Sequence, residues 1–175
     1  MGWRLLTYRL GAEPSRHRVA VWRELRRAGA VPLQSATWAI PTGQGFDEGL
    51  VRAVELIERA DAVAMVFEVS PAEATAAHLE ELFTAEREAE WVEFLAECDK
   101  VEAELAHEIE IEKFTLAELD EEEQNHERLR RWFRDLRARD VFGALSAGPA
   151  EQRLKECAEA LEDYAERVYE ARQSE

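Results

Sequence analysis

The 175-residue sequence predicts an α+β fold, a ferredoxin-like βαββαβ unit followed by an antiparallel three-helix extension. Three observations predict it. Up to Pro71, short runs of strand-forming residues alternate with two segments whose apolar residues recur at helical spacing. From Glu73 to Phe142 there is no glycine, and no proline before Pro149, so nothing in that stretch interrupts a helix. Charge divides the same way: residues 1–60 hold nine arginines against six acids, while the whole chain carries −16, which leaves −19 on the remainder. The expected domains are therefore residues 1–72 and 73–175.

Each element has its own local cause. In WRLLTYRL, Trp3, Leu5 and Thr7 alternate with Arg4, Leu6 and Tyr8, the period of a strand with two different faces. GAEPS breaks that strand, and Ser15 is placed to cap the next helix directly after Pro14. Along SRHRVAVWRELRR, Val21, Leu25 and Ala28 share one face, Trp22 lies on its flank, and Gly29 supplies the stop. AVPLQS and TWAIPT are short, apolar and edged by proline, which predicts a hairpin turning near Gln34 and Ser35. Phe46, Leu50, Val54 and Ile57 make a second amphipathic helix, and DAVAMVFEV reads as a fourth, well-buried strand closed by Pro71. The order βαββαβ is the ferredoxin-like plan. Many functions share that scaffold, so function has to come from side chains.

The second half reads as helices. Trp91, Phe94, Leu95, Cys98, Val101, Leu105 and Ile109 form one apolar stripe, and FT interrupts it. Thr115 and Glu118 then make a capping box for a helix with Leu119, Leu129, Trp132, Phe133 and Leu136 inward. GALSAGP ends that helix, and a last one runs from near Ala150 to Ala171 on Leu154, Ala158, Leu161, Ala165 and Val168.

Composition excludes several classes. With 46% hydrophobic residues and five tryptophans, the chain can bury a core and is not disordered. Cys98 and Cys157 have no CxxC partner and are expected as reduced thiols. The N-terminus lacks a signal-peptide pattern, and no apolar run approaches the roughly 20 residues that span a bilayer. A cytoplasmic protein without membrane attachment is expected. No glycine-rich phosphate loop, G-x-S-x-G or zinc cysteine pattern occurs, so neither an enzyme nor a cofactor is expected.

The chemistry-bearing candidates are few. Arg16, Arg18, Arg23, Arg26 and Arg27 crowd one helix, and Arg16, Arg23 and Arg27 share its outward face with Arg26 beside them. Such a stripe suits a phosphate backbone, each arginine displacing a counterion, and a homodimer would aim two stripes at one duplex. The alternative is a solvated face, or one docked on acidic residues. Ser15, Arg16 and Arg18 at the helix start could hold an oxyanion. RLRRWFRDLRAR is expected to pair internally, with Arg134 and Arg137 near Glu90, Glu93 and Glu97. Two Glu-x-x-His motifs, Glu104 to His107 and Glu123 to His126, have di-metal spacing, but Glu104 and His107 point away from the apolar stripe. Glu108, Glu122 and His126, with Glu112 nearby, remain as a polar junction or a single metal site. Besides a DNA-binding regulator, a metal- or oxyanion-binding helical protein and a protein-interaction module stay open.

WRLLTYRL, EPSRHRVAVWRELRRAGAVPLQSATWAIP, EREAEWVEFLAEC, KFTLAELDEEE, RLRRWFRDLRARDVFGA and the closing YAERVYEA together resemble the N-terminal domain of ChrB, the chromate-resistance regulator, over nearly the whole chain. The resemblance implies a transcriptional regulator of chromate resistance, with this region as its DNA-binding portion. The first half is also similar to the ferredoxin-like domain of phenylacetate-type repressors and of small CRISPR-associated nucleases. Those nucleases bind metal through an aspartate at the end of the first strand. Arg9 stands there, and a cation cannot ligate Mg²⁺. ChrB proteins continue into a second domain, whereas this sequence ends after the first, so a standalone form is expected.

Overall fold

The structure is a computed structural model that describes residues 2–11 and 15–173, the Gln44 side chain excepted. The chain forms two compact units, residues 1–86 and 87–175, and the boundary falls inside one long helix.

The first unit runs β1 (Trp3–Tyr8), α1 (Ser15–Arg27), β2 (Val31–Gln34), β3 (Thr37–Pro41), α2 (Gln44–Glu58) and β4 (Ala64–Val69), followed by the start of α3 (Glu73–Glu110). Its sheet has the order β2-β3-β1-β4, and every neighbouring pair is antiparallel. Leu6 in the centre faces Trp38 on one side and Val66 on the other. Pro32 sits in β2, an edge strand, where a missing N–H breaks few ladder bonds. The break expected at GAEPS includes residues 12–14, which lie outside the described residues. Ser15 is the first residue of α1 and not its cap.

Gly29 ends α1 as its position implies. At φ 82° it lets its own N–H reach the Arg26 carbonyl and the Ala30 N–H reach Leu25, a Schellman closure. Val21, Leu25 and Ala28 are buried as expected. Gly49 of α2 lies against them, since a Cβ at Gly49 would come within 2.4 Å of the Ala28 Cβ. The core closes on Phe83 of α3, which meets Trp3 and Phe46 edge-on at 6.2 and 6.0 Å.

The fourth strand corrects one expectation. β4 forms, but it is not buried: Met65, Val66 and Phe67 are 42–53% exposed. Among the described residues β4 pairs only with β1, at the edge of the sheet. An apolar run gives a strand its propensity but does not say whether a neighbour lies on both sides.

The second unit contains the remainder of α3, α4 (Leu116–Arg139) and α5 (Ala147–Gln173). Trp91 meets Asp140 and Glu97 meets Arg128, so α4 runs back along α3. Cys98 meets Cys157 and Lys113 meets Tyr164, so α5 returns in the direction of α3. The core holds the anticipated stripe of Trp91, Phe94, Cys98, Val101 and Leu105 with Leu119, Leu129 and Leu136. Thr115 caps α4 by accepting the Glu118 N–H at 3.3 Å. On α5 the most buried line is rotated from the expected one: Cys157 and Tyr164 are fully buried, while Ala158 is half-buried. No helix among the described residues is long and apolar enough to cross a membrane.

Candidate nucleic-acid interface

The exposed side of α1 follows from its periodicity, because once Val21, Leu25 and Ala28 turn inward the arginines must turn outward. The structure then divides them. Arg26 forms an ion pair with Glu86, and its guanidinium lies over the Trp22 ring, 6.0 Å from the centroid. Arg27 donates to Glu24 at 2.5 Å, and Glu24, nearly buried, also accepts from Arg52 of α2 at 2.7 Å. The Glu24 hydrogen bond holds Arg52 above its ordinary range. Arg16, Arg18 and Arg23 are exposed and pair with no carboxylate among the described residues. The uncompensated stripe is thus shorter than the sequence suggests, because Arg26 and Arg27 find partners brought near only by folding.

Arg16 and Arg23, seven residues apart, share one line on the helix, whereas Arg18 projects about 200° from Arg16. Ser15, Arg16 and Arg18 therefore do not close together on one anion. Arg18 lines a cleft of about 640 Å³ with Val19 and Trp22 of α1, Tyr8 and Arg9 at the end of β1, and Pro32, Ala36 and Trp38 of the hairpin. Burial holds the Tyr8 hydroxyl above its ordinary range, against a hydrogen bond with Trp38 that lowers it. Sequence reasoning missed this cleft, since its walls come from three separated segments. The available signal was Trp22, a large apolar side chain one turn after Arg18 and off the buried face.

The second basic run belongs to the other unit and is largely internally paired, as expected in kind. Arg139 reaches Glu90 at 3.3 Å and Arg128 reaches Glu97 at 3.5 Å across the two helices. Arg134 instead pairs along its own helix with Glu127 at 3.7 Å.

Glu108 and Glu122 are buried and His126 is half-buried, while Glu104 and His107 are exposed. Glu108 is answered by Lys113 at 3.5 Å. Glu122 Oε2 and His126 Nε2 are buried without hydrogen-bond partners. Among the described residues no three His, Cys, Asp or Glu side chains are arranged to hold a metal. Glu112, at φ 55°, is exposed in the turn before α4. The two cysteines are free and fully buried, with the Cys157 thiol 3.6 Å from the Cys98 carbonyl.

Burial, with Arg130 nearby, holds His126 below the ordinary imidazole range, and burial with Glu104 nearby raises Glu122. For His126 the unfolded chain takes up a proton near pH 6.5 while the native chain resists it. Its contribution is therefore complete above that pH and is lost on acidification. Glu122 acts in the opposite sense, losing stability as pH rises through its raised range. His126→Gln should accordingly be less sensitive to acid: urea midpoints measured at pH 7, 6 and 5 should fall less steeply than in the parent. An equal fall would mean that His126 does not carry the effect.

Fold and site together define an α+β chain in which a cationic helix face belongs to the sheet unit and most of the acidic charge to the helices. The chain belongs to the family described as Protein ChrB, N-terminal, whose model matches residues 18–175. This relates it to the chromate-resistance regulators. No curated protein and no solved structure matches the chain.

Proposed function

We propose that the chain is a ChrB-like transcriptional regulator of chromate resistance that meets DNA through the outward line of α1, with Arg16 and Arg23 on phosphates and the chain acting as a homodimer. The carrying observation is that these two arginines are exposed and unpaired among the described residues, although the chain is strongly acidic. About half of the exposed arginines among the described residues pair with a carboxylate. Arg16 and Arg23 do not, and because they share one helix line they keep together the positive potential that phosphates require. The strand order β2-β3-β1-β4 with βαββαβ connectivity supports a ferredoxin-like assignment for the sheet unit, with the helices as an extension of it. We further read the protein as a regulator and not an enzyme, working in the cytoplasm.

The test is the salt dependence of binding to a duplex from the regulated promoter, followed by fluorescence anisotropy. Replacing Arg16 and Arg23 together by glutamine removes two phosphate contacts per chain, hence four per dimer. The slope of log affinity against log salt should become shallower by about 3.6. An unchanged slope and affinity would remove α1 from the interface.

A further inference from the structure

We propose that the cleft between α1 and the β2–β3 hairpin is a binding site for a small planar aromatic anion, a carboxylate or sulfonate of one or two rings. The proposal does not depend on the DNA reading.

Its walls and its rim ask for different halves of such a ligand. Tyr8, Trp22 and Trp38 line a space of about 640 Å³, within the roughly 300–1,000 Å³ typical of small-molecule sites. Trp22 is 52% exposed, a costly position for an indole unless something stacks on it. Its ring is steadied by the Arg26 guanidinium, which is itself fixed to Glu86. Arg9 and Arg18 add two guanidiniums to the lining, and neither pairs with a carboxylate among the described residues. A neutral ring would leave those cations without a counter-charge, and an inorganic oxyanion would leave the aromatic walls facing water. An aromatic anion satisfies both.

The cleft is also held in shape. The hairpin tip turns through Ala36 at φ 56°, a conformation that disfavours a side chain, and its carbonyl accepts the Tyr8 N–H at 3.2 Å. Strain kept at this point ties the hairpin to the end of β1, between which Trp38 and Tyr8 form adjoining walls. Tyr8, a phenol whose ordinary range already lies far above neutral pH, offers its hydroxyl as a donor there.

The full chain can be titrated with 1-anilinonaphthalene-8-sulfonate and, in parallel, with N-phenyl-1-naphthylamine, the same ring system without the sulfonate. We expect one sulfonate probe per chain, energy transfer from tryptophan to it, and displacement by salicylate. Arg18→Gln should weaken the sulfonate about tenfold while changing the neutral amine less than about twofold. Trp22→Leu should weaken both. Arg18 is exposed, so unchanged circular dichroism is expected and confirms that the variant folds. Equal affinity for the two probes, or no effect of Arg18→Gln, would reduce the cleft to an apolar crevice and overturn the proposal. Displacement by a single-stranded oligonucleotide at lower concentration than by salicylate would also overturn it, assigning the cleft to a nucleobase.

Discussion

Asp140→Ala is expected to destabilise the helical unit by roughly 3–5 kcal/mol, a large share of a typical domain's stability. The reason is the number of donors that converge on one nearly buried carboxylate. Asp140 accepts the Trp91 indole N–H at 3.0 Å, the Gly143 N–H at 3.1 Å and the Ala144 N–H at 3.0 Å. Trp91 is fully buried and Ala144 nearly so, which keeps water from replacing the lost acceptor. Each stranded donor bears its desolvation cost, and the connection from α4 to α5 loses its anchor on α3. Asp140→Asn keeps the shape and one acceptor oxygen, so it should lose less. Trp91→Phe should lose one hydrogen bond and part of a ring that packs against Phe94 and Phe133. Urea unfolding followed by far-ultraviolet circular dichroism reads the helical unit, and Asp135→Ala on the exposed side of α4 is the control, expected within about 0.5 kcal/mol. Asp140→Ala unfolding at the midpoint of that control would show that the carboxylate is not the anchor.

The parts of the fold legible in the sequence are those whose causes are local. Strand one shows its two faces by alternation, Gly29 is required wherever α1 must turn left-handed, and Thr115 with Glu118 marks a helix start within four residues. The exposure of β4 was misread, because the apolar run of Met65, Val66 and Phe67 points to burial although the ferredoxin-like plan itself sets the last strand at the edge of the sheet. The site divides in the same way. Helical spacing alone places Arg16 and Arg23 on one line and already separates Arg18 from them. What spacing could not reveal is that Glu86, 60 residues from Arg26, and Arg52, 28 residues from Glu24, would converge on this helix. The cleft is less legible still, since Tyr8, Trp22 and Trp38 become one wall only when β1, α1 and the hairpin are assembled. In the helical unit both the sense of the pairing and its approximate register were readable, as the contacts of Trp91 with Asp140, Glu90 with Arg139 and Glu97 with Arg128 show. Which arginines close on the glutamates was not: Arg139 and Arg128 take Glu90 and Glu97, where Arg134 and Arg137 were expected.

Glu24→Gln should lower the stability of the sheet unit and, on the proposed function, raise its affinity for duplex DNA. The carboxylate links α1 to α2, accepting from Arg27 on its own helix and from Arg52 on α2. It is 8% exposed, but both arginines are about half exposed or more, so water can solvate them once the charge is gone. The expected cost is therefore about 1–2 kcal/mol, below that of breaking a fully buried pair. Removing a negative charge from the flank of α1 also makes the potential over Arg16 and Arg23 more positive, which strengthens attraction to phosphates at low salt. The opposite signs give the comparison its power. A variant that merely loosened the helix would lower the urea midpoint and the duplex affinity together, as it would disorder the contacting line. A lower midpoint with tighter low-salt binding is the outcome required of an α1 interface whose strength is set by local charge. A lower midpoint with unchanged low-salt binding would place the DNA contact on another surface.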